Sequence, residues 1–298
     1  MRSFNLWFGL VLLFLLWASC TFSNQKEDLK QAVPGKTPSQ KIEVKIFPQG
    51  KNIGTRISAP SDFERINVEQ KSFAEFLRNL PLKPHGSKVH YYNGGIKEPQ
   101  DIYVAVVDYD VGDKDLQQCA DAIMRLRGEY LFKYSEYNQI HFNFTSGDTA
   151  KFVSYATGYR PRVSGNDVSW YKDAAEDYSY ENFRKYMTMV FRWAGTYSLS
   201  KEMIDVNHSG KMNIGDVFIF GGFPGHAVIV VDMAHNRLTG ETIFLLAQSY
   251  MPAQEIQVLC NNNNADISPW YLLKDSGELN TPEWDFRFSD LKRFKNGD

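Results

Sequence analysis

The stretch from 214 to 232, IGDVFIFGGFPGHAVIVVD, decides the fold of this 298-residue chain. Two apolar runs rich in Val, Ile and Phe, 216–220 and 227–232, flank a glycine-rich connection at 221–225. Such runs, separated by a short Gly-containing segment, predict two antiparallel strands that form a hairpin. His226 directly follows the connection, so we expect rigid backbone to hold this histidine while its ring stays reachable.

A helix is predicted upstream of this hairpin. Asp115 followed three residues later by Gln118 matches a capping box, and the helix is expected to run from there to about residue 133. The apolar positions that repeat at helix spacing are Cys119, Ile123, Leu126 and Tyr130. Cys119 is therefore expected about one turn inside the helix, on a stripe of core-type side chains.

The other periodic segments define the fold class. Helix spacing predicts helices at 72–80 and 180–197. Asp232, at the end of the second hairpin run, is expected to be a strand-end turn residue. Further β-prone runs predict strands at 63–66, 89–92, 102–109, 242–248 and 255–259. Because most of the predicted sheet follows the predicted helices in the chain, we expect an α+β fold.

The composition is that of an ordinary globular protein, with 43% hydrophobic and 23% charged residues. A formal net charge of −2 provides no cationic surface for a polyanion, so no nucleic-acid partner is expected. No dinucleotide-binding or Walker motif occurs, and we expect no cofactor. We also expect no metal, because metal-ligand spacing is lacking among His85, His90, His141, His208 and His235.

The N-terminus is predicted to be an export signal. Arg2 precedes an almost purely apolar run of 12 residues, 6–17, which is shorter than the ~20 residues that span a bilayer and is typical of a signal peptide. The following Ala18-Ser19-Cys20 resembles a bacterial lipobox, although Trp17 is larger than the residue expected there. We therefore expect signal peptide 1–19 and lipidation of Cys20, with ordinary secretion or an uncleaved anchor as the alternative.

The segment 20–40 is polar and contains Pro34, Gly35 and Pro38, which predicts a lipid-anchored tether ahead of a single domain at 41–298. Within the tether, Lys26-Glu27-Asp28 resembles an acidic signal that sends some lipoproteins to the outer surface, and a solvated charge cluster explains it equally well. The expected location is the outer membrane, facing the periplasm or exposed on the cell surface, with the lipid as the membrane contact.

The pairs Gly215-Asp216 and Gly225-His226, in their strand context, resemble the Gly-Asp…Gly-His signature of the papain-like NlpC/P60 and CHAP cysteine peptidase and amidase families. This resemblance implies a papain-like core, in which an N-terminal helix packs on an antiparallel sheet and His226 is the general base. It also implies a nucleophilic cysteine near the start of the preceding helix, and Cys119 occupies that place. Because 107 residues separate Cys119 from His226, an inserted helical lobe around 170–193 is expected.

The same resemblance implies a third residue, on the strand after the histidine, that orients the imidazole ring. Gln248 is the best polar candidate there, although glutamine departs from the commoner residues. Gln118 is expected to be a capping residue, with an oxyanion donor as the alternative.

Three questions about the cysteines stay open. Cys119 is either the nucleophile or an inert core thiol. Cys260 is the competing nucleophile, but it ends a predicted strand and has no helix N-terminus to lower its pKa. If Cys20 carries lipid, Cys119 and Cys260 form one disulfide or remain two free thiols.

A substrate-binding groove is the hypothesis for Arg160, Arg162, Trp170 and Tyr171. Arginine binds carboxylates bidentately, and aromatic rings stack on sugar faces. Ordinary surface-loop residues are the alternative.

The whole chain resembles an uncharacterised family of bacterial lipoproteins of about 300 residues, a domain of unknown function. The features that carry this resemblance are the lipobox, the segment LQQCAD at 116–121, the glycine-histidine hairpin and AQSYMPAQ at 247–254. The sequence thus predicts an envelope cysteine hydrolase that cleaves an amide in peptidoglycan stem peptides or another envelope peptide. The alternative is a non-catalytic binding or scaffold lipoprotein that keeps a papain-like core.

Overall fold

The computed structural model describes residues 43–295. They belong to one compact unit that spans 41–298 and has the mixed α+β character expected from the sequence. The predicted signal peptide, the lipidation site at Cys20 and the tether 20–40 lie outside the described residues. No helix within the described part is both long and apolar enough to cross a membrane.

The described helices are α1 (Ile53–Arg56), α2 (Phe73–Arg78), α3 (Cys119–Lys133), α4 (Phe152–Ala156), α5 (Tyr180–Trp193) and α6 (Thr196–Glu202). The described strands are β1 (Glu64–Arg65), β2 (Tyr103–Val106), β3 (His141–Asn143), β4 (Thr149–Lys151), β5 (Tyr159–Ser164), β6 (Asp167–Lys172), β7 (Ile204–Asp205), β8 (Val217–Phe220), β9 (His226–His235), β10 (Thr242–Gln248), β11 (Gln257–Leu259), β12 (Tyr271–Leu272), β13 (Glu278–Asn280), β14 (Asp285–Arg287) and β15 (Leu291–Arg293).

A nine-stranded antiparallel sheet organises the domain. Its main order is β2-β11-β10-β9-β8-β15-β7, with β1 added to β9 and β12 added to β10. Helices α2 and α3 pack on β9 and on each other. Strand β9 is buried from His226 to Ala234. This agrees with its nearly continuous apolar sequence, which is typical of a strand that is covered on both faces.

The predicted hairpin is confirmed as β8 and β9, with Phe220 opposite His226. Glycine is needed where the connection folds back tightly. A Cβ on Gly225 would lie 2.3 Å from Thr196 Oγ1 and 2.6 Å from the Phe220 carbonyl oxygen. Since such distances are far below van der Waals contact, only a residue without a side chain allows the chain to enter β9 along this path.

Helix α3 begins three residues later than predicted, with Gln118 as its N-cap and Cys119 as its first residue. The expected N-cap, Asp115, instead uses Oδ1 to accept hydrogen bonds from the Ala253 N–H (2.6 Å) and Gln118 Nε2 (3.1 Å). The Gln118 N–H is capped by Asp121 Oδ2 at 3.0 Å. Cys119 is therefore the first helical residue, where the dipole acts most strongly, and not one turn inside.

The segment between α3 and β8 is mixed and not simply the helical lobe that was expected. It carries the hairpins β3–β4 and β5–β6 as well as α4, α5 and α6. The two-residue turn Gly165-Asn166 joins β5 to β6, and Gly165 has φ of 61°, a value that favours glycine.

Two other predicted elements differ from the structure. The helix predicted at 180–197 ends at Trp193, because Ala194 is extended before α6 begins at Thr196. The segment 89–92, which was predicted to be a strand, makes only isolated bridges at single positions. These bridges join His90 to Ile96 and Tyr91 to Gln254.

Asp232 lies inside β9 and is not a strand-end residue. A register shift opposite Leu245 and Leu246 changes the alternation along β9 just before Asp232. The carboxylate is fully buried and binds Arg65 Nε at 2.6 Å and Arg78 Nε at 2.7 Å. These ion pairs tie β1 and α2 to the central strand.

Candidate functional site

His226 and Gln248 meet on the central strands. Ala247 pairs with Ile229, so Gln248 lies one position further along, beside Val228 and on the same face as His226. Diagonal neighbours on adjacent strands are within reach of a long side chain. His226 Nε2 is 2.9 Å from Gln248 Oε1, which brings together two of the three predicted catalytic residues.

Cys119 reaches the same place from α3, which packs on β9. Its Sγ lies 4.0 Å from the carbonyl oxygen of Gly225, and the N–H groups of Ala120 and Ala227 point to the sulfur and lower its pKa. Gly225 and Ala227 are the residues on either side of His226 in the chain. The thiol is thus packed against the backbone that carries the histidine, at the first turn of its helix.

The ring of His226 is fully buried in an aromatic shell. Its centroid is 4.7 Å from that of Tyr250, 5.7 Å from Trp284 and 5.8 Å from Phe286. The pKa of His226 is lowered to about 4, mainly by burial and to a smaller extent by nearby Lys97, while the bond to Gln248 opposes the shift. The imidazole is therefore neutral at pH 7, and its Nδ1 has no hydrogen-bond partner among the described residues.

The Cys119 thiol is also neutral at rest. Burial raises its pKa to about 11, and Asp121 adds to the increase, against the opposing effect of the backbone N–H groups. Burial also raises the pKa of Asp121 well above its usual range. The structure therefore pairs a neutral thiol with a neutral imidazole, in contrast to a preformed thiolate.

The pH dependence of alkylation follows from these directions. We expect the rate constant for iodoacetamide labelling of native Cys119 to rise about tenfold per pH unit from pH 6 to 9, because only the thiolate reacts and its fraction grows below the pKa. Peptide mapping by mass spectrometry at each pH gives the rate. A rate that is already maximal below pH 7 would show a preformed thiolate–imidazolium pair instead.

A buried lysine and a half-buried glutamate extend the site beyond Gln248. Gln248 Nε2 donates to Glu283 Oε2 at 2.5 Å, and Lys97 Nζ donates to Glu283 Oε1 at 2.7 Å. Lys97 is only 2% exposed. Sequence reasoning missed both residues, because they lie in connecting segments far from each other and from His226, and no short motif contains them.

The glutamines before Cys119 have different surroundings. Gln118 is the N-cap residue of α3, but its side chain makes no capping hydrogen bond and donates to Asp115 Oδ1 instead. Gln117 is buried, and its Oε1 accepts from Arg125 Nη1 at 3.0 Å. Its Nε2 has no partner among the described residues.

Comparison of the sequence with models of known protein families gives a match to nearly all of the described residues. A family model described as Domain of unknown function (4846), DUF4846, matches residues 53–293. The chain belongs to the DUF4846 family. This confirms the expected membership of a family of unknown function. No curated protein and no solved structure matches the chain.

The matched region of this DUF4846 protein runs from α1 to β15 and includes Cys119, His226 and Gln248 together with Lys97 and Glu283. The site is therefore part of the family's domain and not of the N-terminal segment that precedes it.

The second described thiol of the DUF4846 domain lies elsewhere. Cys119 and Cys260 are both free, so the question of a disulfide is answered for the structure. Cys260 is half-buried after β11, where its carbonyl oxygen accepts from the Tyr271 hydroxyl. Burial raises its pKa to about 11, with a smaller contribution from Asp101, and no helix begins at it.

The four residues of the predicted groove share the β5–β6 hairpin, which is separate from the nine-stranded sheet. Arg160 stacks on Tyr155 at 3.6 Å and donates to the Tyr155 carbonyl, and Arg162 lies 5.0 Å from the ring of Tyr171. Trp170 packs beside Phe144. These side chains thus pack within the hairpin and against Tyr155 and Phe144 beside it, and their role in substrate binding stays a prediction.

Metal-ligating side chains do not cluster in the described part of the chain. Among residues 43–295, no group of three or more His, Cys, Asp or Glu side chains is placed to hold a metal ion.

Proposed function

We propose that this DUF4846 protein is a lipid-anchored cysteine hydrolase of the cell envelope. Cys119 is the nucleophile, His226 is the general base and then the general acid, and Gln248 orients the imidazole ring. The observation that carries the proposal is the bond of 2.9 Å between His226 Nε2 and Gln248 Oε1, with the Cys119 sulfur packed against the backbone on both sides of His226.

The reaction starts from the neutral pair. As Sγ attacks the carbonyl carbon of an amide, the thiol proton moves to His226 Nδ1, and the carbonyl π electrons move to oxygen. Collapse of this intermediate breaks the C–N bond, and the imidazolium gives its proton to the leaving amine. Water, deprotonated by Nδ1, then hydrolyses the thioester and restores the thiol. The N–H groups of Ala120 and Ala227 stabilise negative charge on the sulfur.

The likeness to papain-like enzymes supports this assignment. The Cys119 helix packs on an antiparallel sheet, the histidine begins a strand after a glycine-rich connection, and an amide side chain follows on the next strand. The proposed substrate is an amide in peptidoglycan stem peptides or another envelope peptide. The lipobox at Cys20 supports this choice, because a lipid anchor would hold the domain near such polymers.

The experiment that tests the proposal uses the full chain in detergent micelles. Purified peptidoglycan and a panel of envelope-type peptides are incubated with the protein, and new amino and carboxyl ends are located by mass spectrometry. Release of new ends that depends on Cys119 supports a hydrolase. Intact substrates throughout the panel argue for the alternative below.

The alternative is a non-catalytic binding or scaffold lipoprotein, and the observation that favours it is burial. Cys119 is 5% exposed and His226 is fully buried, so an inert core thiol would react only on unfolding. Native Cys119 that is alkylated faster than the protein unfolds would contradict this alternative. Labelling that is limited by the unfolding rate would favour it.

The proposed anchor makes a further prediction. Removal of residues 1–19 takes away Arg2 and leaves 32 Lys+Arg against 35 Asp+Glu, a formal charge of −3, so anionic head groups do not attract the mature chain. A flexible tether of 20 residues would have a root-mean-square reach of ~25 Å. Cys20→Ser should therefore move the folded protein from the membrane fraction to the soluble fraction, as measured by immunoblotting. Retention after a high-salt wash, with residues 6–17 still attached, would identify an uncleaved anchor instead.

A further inference from the structure

We propose that Glu283 and Lys97 are positioning residues that fix the tautomer of His226, with the proton on Nε2 and the free lone pair on Nδ1. The inference deepens the proposed function, because a base that removes the Cys119 proton needs that lone pair. Neither residue touches the thiol, and both act through the amide of Gln248.

The first step is the fixed charge pair. Lys97 Nζ lies 2.7 Å from Glu283 Oε1, and the side chain of Lys97 is 2% exposed against 17% for Glu283. The lysine also lies 5.5 Å from the ring centroid of Tyr250, which itself packs on His226. A carboxylate paired with an ammonium group accepts hydrogen bonds and cannot donate them. Glu283 Oε2 therefore requires a donor from its other neighbour.

The second step is the orientation of the amide. Gln248 places a side-chain atom 2.5 Å from Glu283 Oε2. If the amide were inverted, its oxygen would face the carboxylate, and two acceptors would be in contact without a proton between them. The NH₂ group must therefore face Glu283, which directs Oε1 to His226. The surrounding charges, and not an arbitrary choice between nitrogen and oxygen, determine this orientation.

The third step is the proton on the imidazole. Gln248 Oε1 is 2.9 Å from His226 Nε2 and can only accept a hydrogen bond. Nε2 must therefore carry the proton, so the neutral ring has an unprotonated Nδ1. This Nδ1 is buried and has no partner among the described residues. The hydrogen-bonded series Lys97, Glu283 and Gln248 thus leaves Nδ1 as the free base of His226. The backbone that flanks His226 contacts the Cys119 sulfur.

The test reads the tautomer directly and needs no substrate. The full chain is labelled with ¹⁵N-histidine, and two-bond ¹H–¹⁵N spectra are recorded at pH 7, with the His226 signals assigned by their loss in His226→Gln. We expect Nε2 to have the shift of a protonated nitrogen and Nδ1 that of a bare one. A proton on Nδ1 in the wild-type protein would overturn the proposal, whether or not the protein hydrolyses amides.

The matched variants are Glu283→Gln and Glu278→Gln. In the first, the new side-chain amide can donate as well as accept, so the Gln248 amide is free to invert, and we expect the His226 shifts to move toward a mixture of tautomers. Glu278 is exposed on the hairpin β13–β14, whose connection carries Glu283, and its variant should retain the wild-type spectrum. An unchanged His226 spectrum in folded Glu283→Gln would show that Glu283 does not set the tautomer.

The two proposals fail in different ways. If the protein is a hydrolase, Glu283→Gln should lower kcat about 10- to 100-fold with little change in KM, because the role assigned to Glu283 is to orient His226 and not to bind substrate. A protein with the expected tautomer but without amide hydrolysis would contradict the proposed function and leave the positioning role intact.

Discussion

Cys119→Ala should abolish amide hydrolysis, with a loss of about 10⁴-fold or more in kcat, because removal of a nucleophile also ends the use of its base. His226→Ala should cause a similar loss. The double variant should be no worse than either single variant, because the two residues act as one unit. The release of new amino ends from the best substrate of the panel measures these effects.

Cys260→Ala is the matched control. Cys260 is also free, with a pKa that burial raises to about 11, so the two thiols have similar pKa values and differ in their neighbours. Because Cys260 follows β11 and begins no helix, its variant should keep the wild-type rate. Hydrolysis that persists in Cys119→Ala and disappears in Cys260→Ala would assign the reaction to the other thiol.

Asp232→Ala should destabilise the fold by about 3–5 kcal/mol, the cost that is typical when one partner of a buried ion pair is removed. The Asp232 carboxylate is fully buried, and two guanidinium groups depend on it, those of Arg65 and Arg78. Arg78 already has one buried nitrogen, Nη2, without a partner among the described residues. Urea unfolding of the variant and the wild type, with comparison of midpoints and slopes, gives the free-energy difference.

Asp205→Ala provides the control for this measurement. Asp205 on the edge strand β7 forms an ion pair with Lys292 on the neighbouring strand β15, but the Asp205 side chain is 67% exposed. Exposed pairs contribute about 0–1 kcal/mol, so this variant should unfold near the wild-type midpoint. Equal destabilisation by the two substitutions would mean that burial of Asp232 adds nothing to its ion pairs.

Local patterns in the sequence were sufficient for the central elements. The alternation of apolar runs and glycines predicted the β8–β9 hairpin, and strand β10 was predicted with its observed bounds at 242–248. The structure brings His226 and Gln248 into hydrogen-bond contact, as the predicted roles require. These features depend on neighbours within a few residues, or on pairing of consecutive strands, which hydrophobic periodicity reports well.

Local patterns were misleading where a side chain has a distant partner. Asp115 has the spacing of a capping box, but its carboxylate accepts from the Ala253 N–H, 138 residues away. Asp232 stands at the end of an apolar run, yet β9 continues to His235 because β1 and β10 pair with it. In both cases a contact that closes only in the folded chain outweighs the local preference.

The sequence by itself determined the α+β class and the hairpin that carries His226, because periodicity and turn chemistry are local properties of the chain. The choice of Gln248 on the following strand came from the resemblance to papain-like families. Only the tertiary structure decided that Cys119 begins its helix, that thiol and imidazole are both neutral, and that Lys97 and Glu283 orient the amide. Burial keeps the thiol and the imidazole neutral, and long-range packing brings Lys97, Gln248 and Glu283 together. Neither the burial nor the packing can be derived from the order of residues in the sequence.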